Sequence, residues 1–447
     1  MLLFTAVSAF AQNSNTAAGL GSGNSGVWID SLGVLEVVTL DTGRVGIQQL
    51  EAARKSYSQL SRSVMTKSKL RFVSLKHLER EIVNSNGVLS EEVRYLAGLM
   101  RIQYLFFFPD SKDIVIAGPA EGWFPGAEGM MVGRSTGKPI CELQDLVVAL
   151  RAFAPNKDAA GVIGCSIDPT SEGNANMQKF LQSNRVDKNQ INVFTDGLRR
   201  SLGLQTIRVD GISASTHAAR VMVAADYRMK LLGIGLEKIP VGANITTFIA
   251  RSDLSDKQSN KLHRWYFMPD YESVVMTEDK TGIELIGGGV KLVTEEEVVD
   301  VMTGQRKIVN NNIDRASLEF TRSFTAQYQK IAQKILVYAQ LRNLIDMFVC
   351  AAHIQKQDFY TKADWTMEFL GDESKFAVQT YQLPKFVMPA VNYKIRNGRI
   401  GFPIGGIEIE PSVALSEENV KIESKNQVSN VRNKIKIKLQ DGQWWWD

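Results

Sequence analysis

The chain has 447 residues, 44% hydrophobic and 22% charged, the balance of an ordinary globular protein long enough for two domains. Its 52 basic and 48 acidic residues leave a net charge of +4, without the dense basic stripe that a nucleic-acid partner requires. Three cysteines, Cys141, Cys165 and Cys350, exclude a disulfide scaffold. They read as buried thiols, with a single Cys141–Cys165 bridge as the alternative.

An apolar run from Leu2 to Phe10 ends in Ala9, Phe10, Ala11, an A-x-A cleavage pattern. The basic residues that normally precede such a run are missing, which fits a reading frame cut short at its start. Residues 1–11 are therefore expected to be a signal-peptide remnant, and 12–33, small and polar, a flexible linker. Nothing else approaches the roughly 18 uninterrupted apolar residues of a membrane span. The expected location is the periplasm, the cell envelope or the medium.

Residues 27–40 read as a hairpin, and 46–60 as a helix. A strand at 69–74, a helix at 75–84 and a helix capped by Ser90 and running through Met100 follow. Segments 104–108 and 113–117 flank Pro109, Asp110, Ser111 and Lys112 and pair as an antiparallel hairpin. A second hairpin spans 130–140. Leu143, Leu146, Val147 and Leu150 make a helical stripe over 143–153. A short buried strand at 161–167, a helix to about Ser183 and a strand at 206–209 lead to the stretch that organises this half, 213–237.

There Val221, Met222, Ala225, Met229 and Leu232 share one helical face, with Ser213, Ser215 or Thr216 as the cap and Gly233 or Gly235 as the stop. Asp226, Tyr227 and Arg228 interrupt it. Asp226 reaches Lys230 at i+4, which reads as a solvated pair on a wet polar edge. The sharper alternative turns Asp226 or Arg228 inward to tie the helix to a neighbour.

The second half begins near Pro240. Residues 252–261 read as a loop, and 264–267, 273–276 and 283–286 as strands. Residues 316–354 are helical without Gly or Pro, and the length predicts a break near 336–339 and an antiparallel pair. The strand ending at Glu410 reads as half exposed. Residues 433–439 alternate lysine or polar with aliphatic, as in a strand with one basic face. The expected class is α+β, mixed, with hairpin-rich sheets and packed helices in two domains, 34–240 and 241–411 (the second holding the helical hairpin and short strands), followed by a polar tail at 412–447.

No chemical motif is complete. Gly133 to Pro139 is one residue short of a phosphate-binding loop and carries Pro139 where a hydroxyl would hold magnesium. Gly164, Cys165, Ser166 lack the second glycine of a nucleophile elbow, since Asp168 stands there. Ser166 or Cys165 with His217 as base are the catalytic candidates, weighed against a plain buried strand. Glu121 beside Trp123 reads either as a sugar-binding pair or as a structural corner. His353 reads as a core or capping histidine. Asp226 and Arg228 are further candidate binding residues. Trp444, Trp445 and Trp446 either present indoles to sugar, membrane interface or partner, or pack back on the domain, or are disordered. The four histidines lie far apart, so a His-based metal site would have to be assembled from distant segments. Neither a metal nor a cofactor is expected.

Five stretches carry a resemblance: GPAEGW at 118–123, GRSTGKPICELQDLVVALRAF, GVIGCSIDPTSEG at 161–173, HAARVMVAADYRMKLLGIGLE and LRNLIDMFVCAAHI. Together they resemble a family of exported bacterial proteins of unknown function, typical of planctomycetes, over about 34–411. The resemblance implies export and a bacterial source, but no catalytic residues. The expectation is a non-enzymatic exported component of the cell envelope with a protein or polysaccharide partner. The alternatives are an envelope hydrolase with a Ser or Cys nucleophile and a carbohydrate-binding protein.

Overall fold

The computed structural model describes residues 25–29, 34–39, 51, 60–126, 130–184, 188–240, 242–250, 261–300, 302–303, 305–308, 313–394, 399–435, 439–440 and 442–447. The expected signal remnant 1–11, most of the linker 12–33 and of the helix 46–60, and nearly all of the loop 252–261 lie outside these residues.

β1 (Ser25–Ile29) and β2 (Val34–Thr39) pair antiparallel, with Val27 opposite Val37. β3 (Ser68–Ser74) runs into α1 (Leu75–Asn84), whose cap is the Ser74 hydroxyl, accepting from the His77 amide at 3.1 Å. The helix expected from Ser90 is a single turn, Glu91–Arg94, because Leu96 and Ala97 take positive φ and turn the chain away. β4 (Tyr104–Phe108) and β5 (Asp113–Ala120) form the expected hairpin. β6 (Trp123–Pro125) pairs with β7 (Met131–Gly133), and the hairpin expected over 130–140 is reduced to a bridge between Val132 and Pro139.

α2 (Leu143–Ala152), β8 (Ile163–Asp168), α3 (Ser171–Ser183), α4 (Ile191–Leu202) and β9 (Gln205–Asp210) lead to α5 (His217–Gly233). Then come β10 (Lys261–Asp270), β11 (Ser273–Met276), β12 (Gly282–Ile286), β13 (Gly289–Val299) and β14 (Arg306–Ile308). α6 (Arg315–Ala332) and α7 (Leu336–Lys356) break at 333–335, just ahead of the expected 336–339, and meet at 101°, a corner and not an antiparallel pair. The corner lets α6 lie on β13 while α7 packs against α2 and α5. Among the described residues no single helix is long and apolar enough to cross a membrane. The chain ends through β15 (Phe386–Val387), β16 (Asn392–Lys394), β17 (Arg399–Gly401), β18 (Pro403–Ile409), β19 (Val420–Ile422), α8 (Gln427–Lys434) and β20 (Trp445–Trp446). The basic strand expected at 433–439 does not form at its start: Asn433 and Lys434 close α8, and 436–438 lie outside the described residues.

The class is α+β, with two mixed sheets. One runs β1-β2-β15-β9-β8-β18-β10-β13-β14, the other β19-β11-β12-β4-β5-β3-β20. Both interleave strands from either side of residue 240. One apolar cluster joins Val73, Leu105 and Ile116 to Met222, Trp265, Phe324 and Phe348. α7 is buried along nearly its whole length.

β18, expected half exposed, is instead central, and all but Glu408 of it is buried. Its two glycines explain the position. Gly405 sits at φ +134°, and a Cβ there would lie 1.8 Å from the Trp265 carbonyl oxygen, while one on Gly406 would lie 1.8 Å from that of Cys165. Only glycine lets both neighbouring strands approach so closely.

Candidate metal centre

α2 and α5 bring their N-termini together. Glu142 precedes α2 and Asp145 lies in its first turn, so an i, i+3 spacing puts both carboxylates on one side. His217 is the first residue of α5, set by Thr216, whose hydroxyl caps the helix by accepting from Ala219 N at 3.2 Å. The positive ends of two helices face these carboxylates and favour their ionised form.

The imidazole Nδ1–H of His217 donates to Asp145 Oδ2 at 2.9 Å, and its Nε2 lies 3.9 Å from Glu142 Oε1. One ligand atom from each of the three residues falls within 4.8 Å of the other two. Gln144 Nε2 donates both to Glu142 and to the Tyr381 hydroxyl, the latter at 2.9 Å. Tyr381 is held by its amide on Ser215 O at 2.7 Å, and its ring lies 5.5 Å from that of His217. Asp145 Oδ1 is buried with no hydrogen-bond partner among the described residues.

Burial alone would lower the imidazole's pKa. The Asp145 carboxylate bonded to it, with Glu142 behind, outweighs that and pushes it up to about 9. Burial raises the Glu142 carboxyl, with Asp145 adding to the rise and His217 opposing it. Two carboxylates and one imidazole, partly open to solvent, form a set able to exchange a proton for a cation.

The other candidate residues lie elsewhere. Cys165 is buried on β8, and burial followed by the nearby Asp226 carboxylate drives its thiol well above the usual range. Ser166, next to it, bonds to Asp168. Among the described residues no hydrogen bond joins either to His217, whose Nδ1 is taken by Asp145. All three cysteines are free and buried.

Glu121 is 2% exposed and sits inside the turn that resembled a phosphate-binding loop. The Thr136 amide donates to it at 2.9 Å, and the Ser135 and Thr136 hydroxyls donate as well. The chain's own carboxylate thus fills the place of an anion, and Gly133 is needed because a Cβ would stand 2.1 Å from Glu121 Oε1. Trp123 is buried against Tyr95.

The wet edge expected on α5 is absent: Asp226 and Lys230 are 0% and 1% exposed, and Arg228 is 4% exposed. Lys230 Nζ donates to Asp226 Oδ2 at 2.9 Å and to the carbonyls of Ile167 and Gly405 at 3.2 Å each. The inward alternative is the one formed, because α5 lies across β8 and β18 and its polar stripe faces them. Arg228 pairs with Glu237 at 2.6 Å.

His353 is a core histidine. Burial, with Lys356 nearby, holds its imidazole down to about 3. The tail packs back. β20 pairs with β3, Trp444 is buried, Trp446 stacks on Phe72, and Arg71 lies 4.4 Å over the Trp445 ring while bonding Asp447 at 2.7 and 2.8 Å.

Glu142 and Asp145 were missed by sequence reasoning. Their only signal was a pair of acids three apart at a helix start, and the histidine that completes them is 72 positions from Asp145.

Residues 165–246 match a family model described as a protein of unknown function (DUF1598). The match runs from β8 past α5 and contains Cys165, Ser166, His217, Asp226 and Arg228, but neither carboxylate of the site. No curated protein and no solved structure matches the chain.

Proposed function

We propose that the protein binds a divalent first-row transition metal through Glu142, Asp145 and His217, and that it works outside the cytoplasm as an interaction component of a bacterial cell envelope. The observation carrying the first part is the convergence of three donor atoms within 4.8 Å, one of them on a carboxylate whose second oxygen is buried and, among the described residues, unpartnered. One imidazole and two carboxylates suit Zn²⁺, Mn²⁺ or Fe²⁺, and the nitrogen donor disfavours Ca²⁺. Three protein ligands leave a fourth position for water or a partner's side chain. His217 must lose its proton to ligate, so binding weakens as pH falls through about 9.

The second part rests on the apolar run at 2–10, its A-x-A end and the family-like stretches, which also suggest a planctomycete source. A hydrolase using Cys165 or Ser166 is disfavoured by a buried thiol and a hydroxyl bonded to Asp168. A carbohydrate platform is disfavoured by the burial of Trp123 and Trp444.

Titration of chelator-treated protein with ZnCl₂ and MnCl₂ in a calorimeter tests the metal. Saturable binding with proton release is expected, weakened at least about tenfold in Glu142→Gln and Asp145→Ala. Absence of saturable binding by either metal, or equal affinity in the variants, refutes it. Fractionation of the source cells with immunodetection tests the location: recovery in the periplasmic or envelope fraction is expected, and recovery in the cytoplasm alone refutes it.

A further inference from the structure

Near Cys141 the Asp346 carboxylate acts on two arginines, Arg101 and Arg342, but bonds only the first. Arg101 donates from Nε to Asp346 Oδ2 at 2.8 Å, and Tyr271 donates to Asp346 Oδ1 at 2.7 Å, so both oxygens are taken. Arg342, one turn before Asp346 on α7, has no carboxylate within ion-pair distance among the described residues. Its Nη2 donates to Asn343 Oδ1 at 3.0 Å. Among the described residues its Nε is buried without a partner, and so is Asn343 Nδ2. Arg342 is half-buried, and a buried, cationic N–H left open is costly unless an acceptor meets it.

A third cation lies close enough to feel these two. Lys138, exposed on the 133–138 turn, has its ammonium pKa lowered, first by partial desolvation and then by Arg342, with Arg101 and Lys67 adding to the effect. Burial, opposed by Asp346 and reinforced by Arg101, lowers that of Arg342. Glu121, whose charge opposes the lowering at Lys138, is already wrapped by Ser135 and Thr136. Arg342 and Lys138 therefore repel each other while the Asp346 carboxylate is bonded by Arg101 and Tyr271.

We propose that Arg342, Asn343 and Lys138 form an oxyanion site, open at the 133–138 turn, that takes a phosphate group or an equivalent tetrahedral anion. Arg342 supplies the charge and the Nε donor, Asn343 its amide, and Lys138 closes the outer side. Asp346 keeps Arg101 out of the site and aims it at Gly287 O, 3.0 Å away. The site does not use Glu142, Asp145 or His217, so it stands or falls apart from the metal reading.

The test is thermal unfolding and calorimetry of the metal-free chain with inorganic phosphate, sulfate and glycerol 3-phosphate, against chloride at equal ionic strength. A saturable rise in melting temperature with phosphate is expected. Binding falls about tenfold in Arg342→Gln and more modestly in Lys138→Gln. Without anion, Arg342→Gln is as stable as the parent or more so, because it removes an uncompensated charge. If Arg342→Gln fails to fold, Lys138→Gln, on an exposed turn, carries the test. A tighter fit for glycerol 3-phosphate than for phosphate assigns the site to an organic phosphate ester, and the reverse to the free ion. No effect beyond chloride, or unchanged affinity in both variants, overturns the proposal.

Discussion

Replacing Lys230 with methionine removes the cation beneath the nine-stranded sheet and leaves Asp226 behind. Asp226 is fully buried, its Oδ1 already has no partner among the described residues, and Lys230 is the donor to Oδ2. Two strand carbonyls, of Ile167 and Gly405, lose a donor as well. Breaking a buried pair from one side costs about 3–5 kcal/mol. The cost depends on pH with a definite sign. Burial, partly offset by Lys230, holds the Asp226 carboxyl up at about 6. A carboxyl raised in the folded state favours folding as pH falls through that value and penalises it above. Without Lys230 the carboxyl rises further, so Lys230→Met is strongly destabilised at pH 8 and much less so at pH 5. The double variant Asp226→Leu, Lys230→Met removes both charges and returns to within about 1 kcal/mol of the parent or exceeds it. Urea unfolding followed by tryptophan fluorescence at both pH values, for the parent, both single variants and the double, completes the cycle. A Lys230→Met protein within about 0.5 kcal/mol of the parent at pH 8, or a double variant no better than the single, refutes the argument.

The Asp145–His217 pair has the opposite sign. Its imidazole is raised in the folded state to about 9, so its stabilisation is complete below the ordinary histidine value and is lost as pH rises through 9. In metal-free protein the unfolding free energy from urea titration should fall across that window by about 3 kcal/mol at most, and Asp145→Asn should flatten it. A midpoint equally pH-dependent in Asp145→Asn would disprove the link. At the tail, Arg71→Leu removes a wholly buried guanidinium that holds Asp447 and the carbonyls of Ser63, Val64, Thr66 and Ala97. It should cost about 3–5 kcal/mol and release β20, seen as faster amide exchange at 444–446 and red-shifted indole emission. Unchanged exchange there would show that Arg71 does not hold the strand.

What the sequence determined by itself is local. The stripe of Leu143, Leu146, Val147 and Leu150, a hydroxyl cap for α5 among Ser213, Ser215 and Thr216, the β4–β5 hairpin and a break between α6 and α7 all follow from side-chain spacing within a turn or two, where backbone geometry fixes which residues share a face. Tertiary structure decided everything that depends on which faces meet. Asp226 and Lys230 are four apart whether wet or dry, and only the lie of α5 across β8 and β18 makes them a buried pair. Three tryptophans read the same free or docked until β20 meets β3, whose Arg71 lies 376 positions from Asp447. The alternation in β18 carried no sign of a central strand until Gly405 and Gly406 were seen between Trp265 and Cys165. Glu142, Asp145 and His217 became one site because two helix N-termini converge, and such pairing across the chain leaves no periodic trace in the order of residues.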